Sequence, residues 1–104
     1  MDLIAISQGD YGYNLDFSIT ESDGSVRVLT DYTVTLKMWK PGAKETLLID
    51  GGCEIDDEEA GTCHYAVQDG DFDTRGRYHA ELELTKTGIV ESTEPFIIAV
   101  VESG

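Results

Sequence analysis

Three aspartates at alternate positions are the residues of this sequence whose types and spacing come closest to a metal-binding loop. Asp69, Asp71 and Asp73 could supply the oxygen ligands that calcium prefers. The sixth position of an EF-hand loop is glycine and the twelfth is glutamate, whereas this chain has Thr74 and Ala80 there. The pattern favours a solvated turn, with a calcium-dependent module as a minor alternative, and we predict no metal site.

The two cysteines and two histidines do not form a pattern typical of catalysis or metal binding. Cys63 and His64 are adjacent, so on a strand their side chains lie on opposite faces and cannot act together as nucleophile and base. Cys53 and Cys63 fall on the two arms of a predicted hairpin, where we expect direct cross-strand neighbours. Two buried free thiols are favoured, and a disulfide is the alternative. Alternation places His64 and His79 on outward faces.

Composition excludes several classes of function. The chain has 104 residues, with 7 Lys+Arg against 21 Asp+Glu and a formal charge of −14. A nucleic-acid-binding protein needs a basic surface, and anionic lipid repels so acidic a chain, so we expect neither nucleic acid nor a membrane as partner. Without a signal peptide or an apolar run of spanning length, synthesis in the cytoplasm is expected. No catalytic pattern emerges, and we predict no enzyme activity, no catalytic residue and no cofactor.

Apolar residues alternate with a period of two along much of the chain, which indicates strands with one buried face. The longest alternation covers residues 11–20, where every odd position from Tyr11 to Ile19 is apolar. The last predicted strand, 89–101, is interrupted at Pro95, which suggests an edge position or a bulge. Other strands are predicted over 32–39, 46–50, 53–57, 61–68 and 78–85. The pattern predicts an all-β fold, an immunoglobulin-like antiparallel β-sandwich of about seven or eight strands that forms a single domain over residues 1–104.

Tyr78 stands at the start of a predicted strand, after Asp73 and Gly76. This arrangement resembles the tyrosine corner of immunoglobulin-like sandwiches, in which the tyrosine hydroxyl bonds back to the backbone. An ordinary inward-facing tyrosine is the alternative. Ala80 occupies the place of the second cysteine of antibody domains, so a disulfide-pinned core is not expected.

Trp39 is a candidate for partner contact. Alternation places it on the outward face of its strand, between Lys37 and Lys40. An exposed tryptophan flanked by lysines suits a protein contact or a sugar-binding platform. The alternative is that the ring covers the turn at Pro41 or packs under a loop.

The end of the chain is apolar on both faces of its strand, over residues 96–101. One set of side chains must face the core. The other set, Ile97, Ala99 and Val101, is expected to be covered by a partner or by residues 3–6 of the same chain. These three residues and Trp39 form the predicted partner surface.

Turn glycines and alternating core positions occur in a characteristic order. They are Gly9-Asp10, Leu15, Phe17, Asp23-Gly24, Val34-Thr35-Leu36, Lys40-Pro41-Gly42, Ile55-Asp56-Asp57, Gly61, Tyr65, Asp71-Phe72, Gly76-Arg77-Tyr78, Ala80-Glu81-Leu82 and Pro95-Phe96. With this order, about residues 6–101 resemble the N-terminal immunoglobulin-like domain of phage baseplate upper proteins and related prophage tail proteins. The resemblance implies a structural module that docks a receptor-binding or fibre protein onto the baseplate. Such proteins usually continue into a helical linker, whereas this chain ends at Gly104, so a stand-alone relative or accessory protein is expected.

Together these observations predict a non-enzymatic assembly module of a phage or prophage tail that becomes associated with the virion. Its expected partners are other virion or tail proteins. Self-association is a further expectation, because virion parts are repeated and symmetric assembly reuses one surface. The alternative from another class is a carbohydrate-binding or adhesin-like module that uses Trp39 and exposed tyrosines.

Overall fold

Nine β-strands in two sheets make up the fold. The computed structural model describes residues 3–102, and its strands are β1 (Leu3–Ser7), β2 (Asn14–Ser18), β3 (Thr33–Trp39), β4 (Ile49–Gly52), β5 (Glu54–Asp57), β6 (Thr62–Ala66), β7 (Gly76–Lys86), β8 (Ile89–Ser92) and β9 (Phe96–Val101). The six-stranded sheet has the order β1-β9-β7-β3-β4, with β8 paired to β7, and the three-stranded sheet has the order β2-β6-β5. The predicted all-β sandwich is confirmed.

The strand order corresponds to that of an immunoglobulin-type sandwich. Strands β2, β6 and β5 take the places of strands B, E and D, and β3, β7 and β9 take those of C, F and G. Among the described strands, β1 and β9 alone pair in parallel, with Leu3 opposite Ile97 and Ser7 opposite Val101. The antiparallel expectation is wrong for this pair. Since β1 and β9 come from opposite ends of the sequence, no tight turn dictates their relative direction.

The core lies between the two sheets. Its most completely buried large side chains are Phe72, Leu29, Leu36, Met38, Leu84, Ile98, Val34 and Cys63. Leu15 and Tyr65 join this core from the three-stranded sheet. The alternation predicted for β3 and β7 therefore identifies inward-facing positions correctly. Leu29 lies in a stretch without periodicity, and its N–H donates to the carbonyl of Glu58 at 2.8 Å.

The strand predicted over residues 11–20 is shorter than expected. Gly9 and Gly12 adopt φ values of +83° and +86°, and this left-handed backbone bends the chain before β2 begins. As a result Tyr11 is 57% exposed and Tyr13 is 37% exposed. The expectation that both tyrosines face the core is wrong.

The break at Pro95 divides the last predicted strand into β8 and β9, which pair with successive parts of β7. At the break, the N–H of Thr93 donates to the carbonyl of Leu82 at 2.9 Å. The N–H of Leu82 donates to the Thr93 side-chain oxygen at 3.0 Å. Between the pairs Glu83–Ser92 and Ala80–Phe96 this segment has one more residue than β7, so the interruption is a bulge, as one alternative predicted. The edge alternative holds for β8, which among the described strands pairs with β7 alone, and not for β9, which lies between β1 and β7. This division and the unpredicted strand β1 bring the number of strands to nine.

Tyr78 forms the predicted tyrosine corner. Its ring is buried, and its hydroxyl donates to the carbonyl of Thr74 at 2.6 Å. The bond joins the start of β7 to the loop before it, so it fixes the path by which the chain enters this strand.

Replacing Tyr78→Phe should lower the free energy of unfolding by about 1 kcal/mol, because the Thr74 carbonyl loses its hydrogen bond while the ring still fills its site. Urea denaturation followed by tryptophan fluorescence measures the change. Tyr11→Phe is the matched control, since Tyr11 is exposed, and its effect should be close to zero. Equal effects of the two substitutions would contradict the corner's role.

Gly61 is the glycine at which the backbone packs most tightly. It has φ +71°, and a Cβ built there would lie 2.5 Å from the carbonyl oxygen of Arg27 and 2.8 Å from that of Ile19. The Ile19 N–H donates to the Gly61 carbonyl at 2.9 Å. Only glycine therefore allows β6 to begin against the segment that follows β2.

Gly61→Ala should destabilise the fold more than Gly88→Ala does. Gly88 has φ +79°, but a Cβ there meets nothing within 4 Å. Gly88→Ala should cost roughly 1–2 kcal/mol from left-handed strain alone. Gly61→Ala adds an overpacking cost of about 1–3 kcal/mol. Thermal and urea unfolding of both variants measure the difference. Similar stabilities would show that the atoms around Gly61 move aside without a cost in free energy.

Candidate functional site

The predicted partner residues lie on one face of the six-stranded sheet, the face that points away from the core. Trp39 pairs in register with His79, His79 with Ile97, and Ile97 with Leu3. These four residues form a row across β3, β7, β9 and β1. Because side chains alternate along a strand, Ala99 and Val101 share the face with Ile97. The structure therefore brings Trp39 and the β9 residues onto a common surface, although their surroundings differ.

Trp39 is only 4% exposed, so the interpretation of this residue as an exposed platform is wrong. The ammonium of Lys44 lies 4.8 Å from the centroid of the indole ring, and the His79 ring packs edge-on at 6.2 Å. The segment after β3 folds back over the ring, with the Leu48 N–H donating to the Met38 carbonyl at 2.8 Å. The alternative, packing under a loop, is the one the structure has. Burial of this large apolar ring and its cation–π contact stabilise the loop.

Ion pairs fill the centre of the same face. Lys44 lies 2.5 Å from Glu81, whose side chain is 3% exposed, and Lys37 lies 2.9 Å from Glu83. Burial alone would raise the pKa of Glu81. Hydrogen bonds from Lys44 and Ser92, together with the charges of the two lysines, outweigh burial and lower this pKa. The charged groups compensate one another, so this region is structural in character.

The apolar part of the face lies on the last two strands of the sheet. We call it the β1–β9 face, and it consists of Leu3, Ala5, Ile97, Ala99 and Val101. Leu3 is 49% exposed and Val101 is 43% exposed, Ala5 is exposed, and Ile97 and Ala99 are less accessible. Either a partner or residues 3–6 of the same chain were expected to cover this surface. Residues 3–6 do not cover it, because β1 lies beside β9 and extends the sheet through main-chain pairing.

Two of the residues on the β1–β9 face, Leu3 and Ala5, were missed as site residues by the sequence reasoning. Their stretch reads Leu3-Ile4-Ala5-Ile6, which shows no alternation and so gave no strand signal. The similar run over 96–101 was the only hint that two such strands could pair at the edge of a sheet. β1 is the terminal strand of this sheet, so its outer edge adjoins the apolar face.

The aspartate-rich turn at 69–73 serves the fold. One oxygen of Asp71 accepts hydrogen bonds from the Tyr65 hydroxyl at 2.6 Å and from the Gln68 N–H at 2.9 Å. Burial and the bond to Asp71 raise the pKa of Tyr65. The Asp71 carboxylate therefore ties the turn to β6, in line with the interpretation of this segment as a turn.

Both cysteines are free thiols, Cys63 buried and Cys53 partly buried, as the favoured prediction had it. They are not direct cross-strand neighbours, since Cys63 pairs with Ile55. The two thiols still interact: a hydrogen bond between them raises the pKa of Cys53 and lowers that of Cys63. The register differs from expectation because the turn of the hairpin occupies residues 58–61, with Asp57 opposite Thr62 at its base.

A cleft of about 800 Å³ opens between the two sheets, where β2 lies opposite β8 and β9. The Phe17 and Phe96 rings, 5.7 Å apart, lie among its lining residues. An ion pair of 2.7 Å between Arg27 and Glu91 is part of the same lining.

Residues 3–102 contain no helix long and apolar enough to cross a membrane.

Comparison with known families finds one match that covers the chain from end to end. The model of the BppU N-terminal domain family matches residues 1–104. A search of curated proteins finds no match.

Lys44→Met should lower the free energy of unfolding by about 1–2 kcal/mol at pH 7, because it leaves the buried Glu81 carboxylate without its cation. The loss is not larger, because the Lys44 side chain is exposed and water screens the pair. Pairing holds the pKa of Glu81 below its usual value of 4.5, so this stability is present above that pH and is lost as the pH falls through the pKa of the folded state. Urea denaturation at pH 7 and at pH 4 should therefore give a difference in unfolding free energy between wild type and variant that is full at pH 7 and smaller at pH 4, the loss beginning below about pH 4.5.

Lys40→Met is the matched control for this measurement, since Lys40 is an exposed lysine of the same loop. Its effect should stay within about 0.5 kcal/mol at both pH values. A Lys44→Met effect that is equally small, or that does not change with pH, would show that Glu81 does not depend on Lys44.

Proposed function

This chain belongs to the family of baseplate upper protein (BppU) N-terminal domains, and on that premise we propose that it is a non-enzymatic docking module of a phage or prophage baseplate. Domains of this family are structural parts of the phage baseplate, so the chain has virion proteins as its partners. The docking surface that we propose is the β1–β9 face.

The observation that carries this proposal is an exposed apolar surface on a strongly acidic chain. The formal charge is −14, yet the five side chains of the β1–β9 face are apolar, with the exposed Arg77 beside them, opposite Ala99. Exposed apolar surface at one place on an acidic protein is typical of a protein interface. Leu3 and Val101 are its exposed large side chains, and both would lose water-accessible area on docking.

The edge of the sheet supports the same surface. Strand β1 is terminal in its sheet, so its outer edge offers main-chain hydrogen-bonding groups to a partner strand. A partner that adds a strand there would also contact the apolar side chains beside it. Main-chain bonds and apolar contacts would then act together.

The partner that fits this surface is a different virion protein. Two copies of a chain with charge −14 repel each other, and a less acidic partner avoids that cost. Arg77 pairs with Ala99 in register and is exposed, so it places a positive charge at the border of the face. A partner with an apolar patch and a nearby carboxylate would be complementary.

Other observations favour a role without catalysis. Cys63 is buried in the core, whereas His64 contacts Asp56 at 2.7 Å, so thiol and imidazole do not act on a common reactant. The carbohydrate-binding alternative depended on an exposed Trp39, and Lys44 covers that ring. Tyr11 and Tyr13 are exposed, but the tryptophan that this alternative required is not exposed with them. We therefore retain docking alone.

Site-specific photo-crosslinking tests the docking surface. A photoreactive residue at Val101 should crosslink to another tail protein when the chain is present during tail assembly, and mass spectrometry should identify the product. Val90, 71% exposed on β8, is the matched control and should give no such product. Leu3→Asp should reduce the Val101 crosslink by at least about tenfold, which corresponds to 1.4 kcal/mol of binding.

The outcomes of this experiment separate the alternatives. Equal products from Val101 and Val90 would contradict a specific β1–β9 face. A product that joins two copies of the chain would replace the heterologous partner by self-association, which light scattering after size-exclusion chromatography would detect independently. Absence of any product at Val101 in assembled tails would overturn the proposed surface.

A further inference from the structure

The outward face of the three-stranded sheet carries a histidine with acidic residues on both neighbouring strands. Asp16 of β2 and Glu54 of β5 are the direct cross-strand partners of His64 on β6. One potential ligand atom from each of Asp16, Asp56 and His64 lies within 4.8 Å of the other two. Residues far apart in sequence thus meet at one place because all three strands of the sheet contribute.

An irregularity of the backbone places Asp56 in this group. The register between β5 and β6 shifts between Ile55 and Asp57, so Asp56 is the extra residue of a β-bulge. Bulges redirect side chains and are enriched beside functional sites. Here the Asp56 Oδ1 atom lies 2.7 Å from His64 Nδ1.

We propose that Asp16, Asp56 and His64 bind a divalent transition-metal ion, with Zn²⁺ as the best-fitting ion. An imidazole nitrogen with two carboxylates is a donor set that suits zinc, whereas calcium prefers oxygen ligands alone. Zinc bonds of 2.0–2.1 Å in a tetrahedron place the ligand atoms roughly 3.3 Å apart. The carboxylates of Asp16 and Asp56 are on exposed residues, so small rotations bring them to that spacing, and water takes the open position.

Glu54 gives a separate reason to interpret this group as a site. Its Oε2 atom lies 3.4 Å from His64 Nε2, on the ring nitrogen opposite the one that Asp56 contacts. Histidines that bind a metal through one nitrogen usually donate the other N–H to a carboxylate, which fixes the ring and its tautomer. Glu54 is placed to do this while Nδ1 faces Asp56 and the metal.

The local charge also favours a cation. In the described part of the chain, no lysine or arginine forms an ion pair with Asp16, Glu54 or Asp56, and the ion-pair contacts of Glu54 and Asp56 are with His64. Three carboxylates therefore surround one imidazole. A bound divalent ion would neutralise more of this negative charge than a proton on His64 does. The inference does not depend on the docking function.

Isothermal titration of the purified chain with ZnCl₂ in metal-free buffer tests the proposal. We expect one zinc ion per chain and an increase in the thermal midpoint at saturation, because an ion that binds only the folded state stabilises it. His64→Gln should weaken binding at least about 100-fold and Glu54→Gln about tenfold, since outer-shell partners of zinc typically contribute 10–100-fold. CaCl₂ in place of ZnCl₂ should give no comparable binding.

His79→Gln and Asp69→Asn are the matched controls, because they remove a histidine and an exposed aspartate outside the group. Both should bind zinc as the wild type does, and circular dichroism should show all variants folded. Absence of zinc binding, equal binding by the His64→Gln variant, or equal affinity for Ca²⁺ would overturn the site. The last two results would mean adventitious binding to an acidic surface only.

Discussion

The six-stranded sheet depends on the main-chain hydrogen bonds of β7. Its residues 79–85 pair with β3 on one edge, while residues 76–80 pair with β9 and residues 83–86 with β8 on the other. A strand with partners on both edges and cover on both faces must compensate every polar group it buries. The Glu81 carboxylate meets this constraint through Lys44 and Ser92. Trp39, the 40–48 loop and the tyrosine corner are arranged around the same strand.

Much of this framework is predictable from the sequence, because it follows from side-chain periodicity and local turns. The alternation in β3 and β7 identified the inward-facing residues, and the spacing around Tyr78 identified the corner. What the sequence did not reveal depends on the partners of each segment. Leu3-Ile4-Ala5-Ile6 forms a strand because β9 lies beside it, and Trp39 is buried because a later loop returns over it. Tyr11 follows the apolar alternation in the sequence but lies outside β2, because two glycines with left-handed backbone bend the chain before that strand begins.

The two candidate sites differ in how far the sequence alone indicated them. The run over 96–101, apolar on both faces of its strand, pointed to Ile97, Ala99 and Val101, and the pairing of β1 with β9 added Leu3 and Ala5. The group around His64 was not foreseen, although Asp16, Glu54 and His64 all occupy outward positions of their strands. Recognising it requires the pairing of β2 with β6 and the bulge that shifts Asp56. Both are tertiary facts, and a one-residue error of register would separate the ligands.

The parallel pairing of β1 and β9 has a mechanical consequence. Five residue pairs join the strands, from Leu3 with Ile97 to Ser7 with Val101. A pulling force applied at the start of β1 and the end of β9 acts along both strands and perpendicular to their hydrogen bonds. The bonds are then loaded in shear and must break together, whereas an antiparallel pair pulled from its open end would unzip one bond at a time. The fold thus resists tension most strongly along the line that joins its two terminal strands.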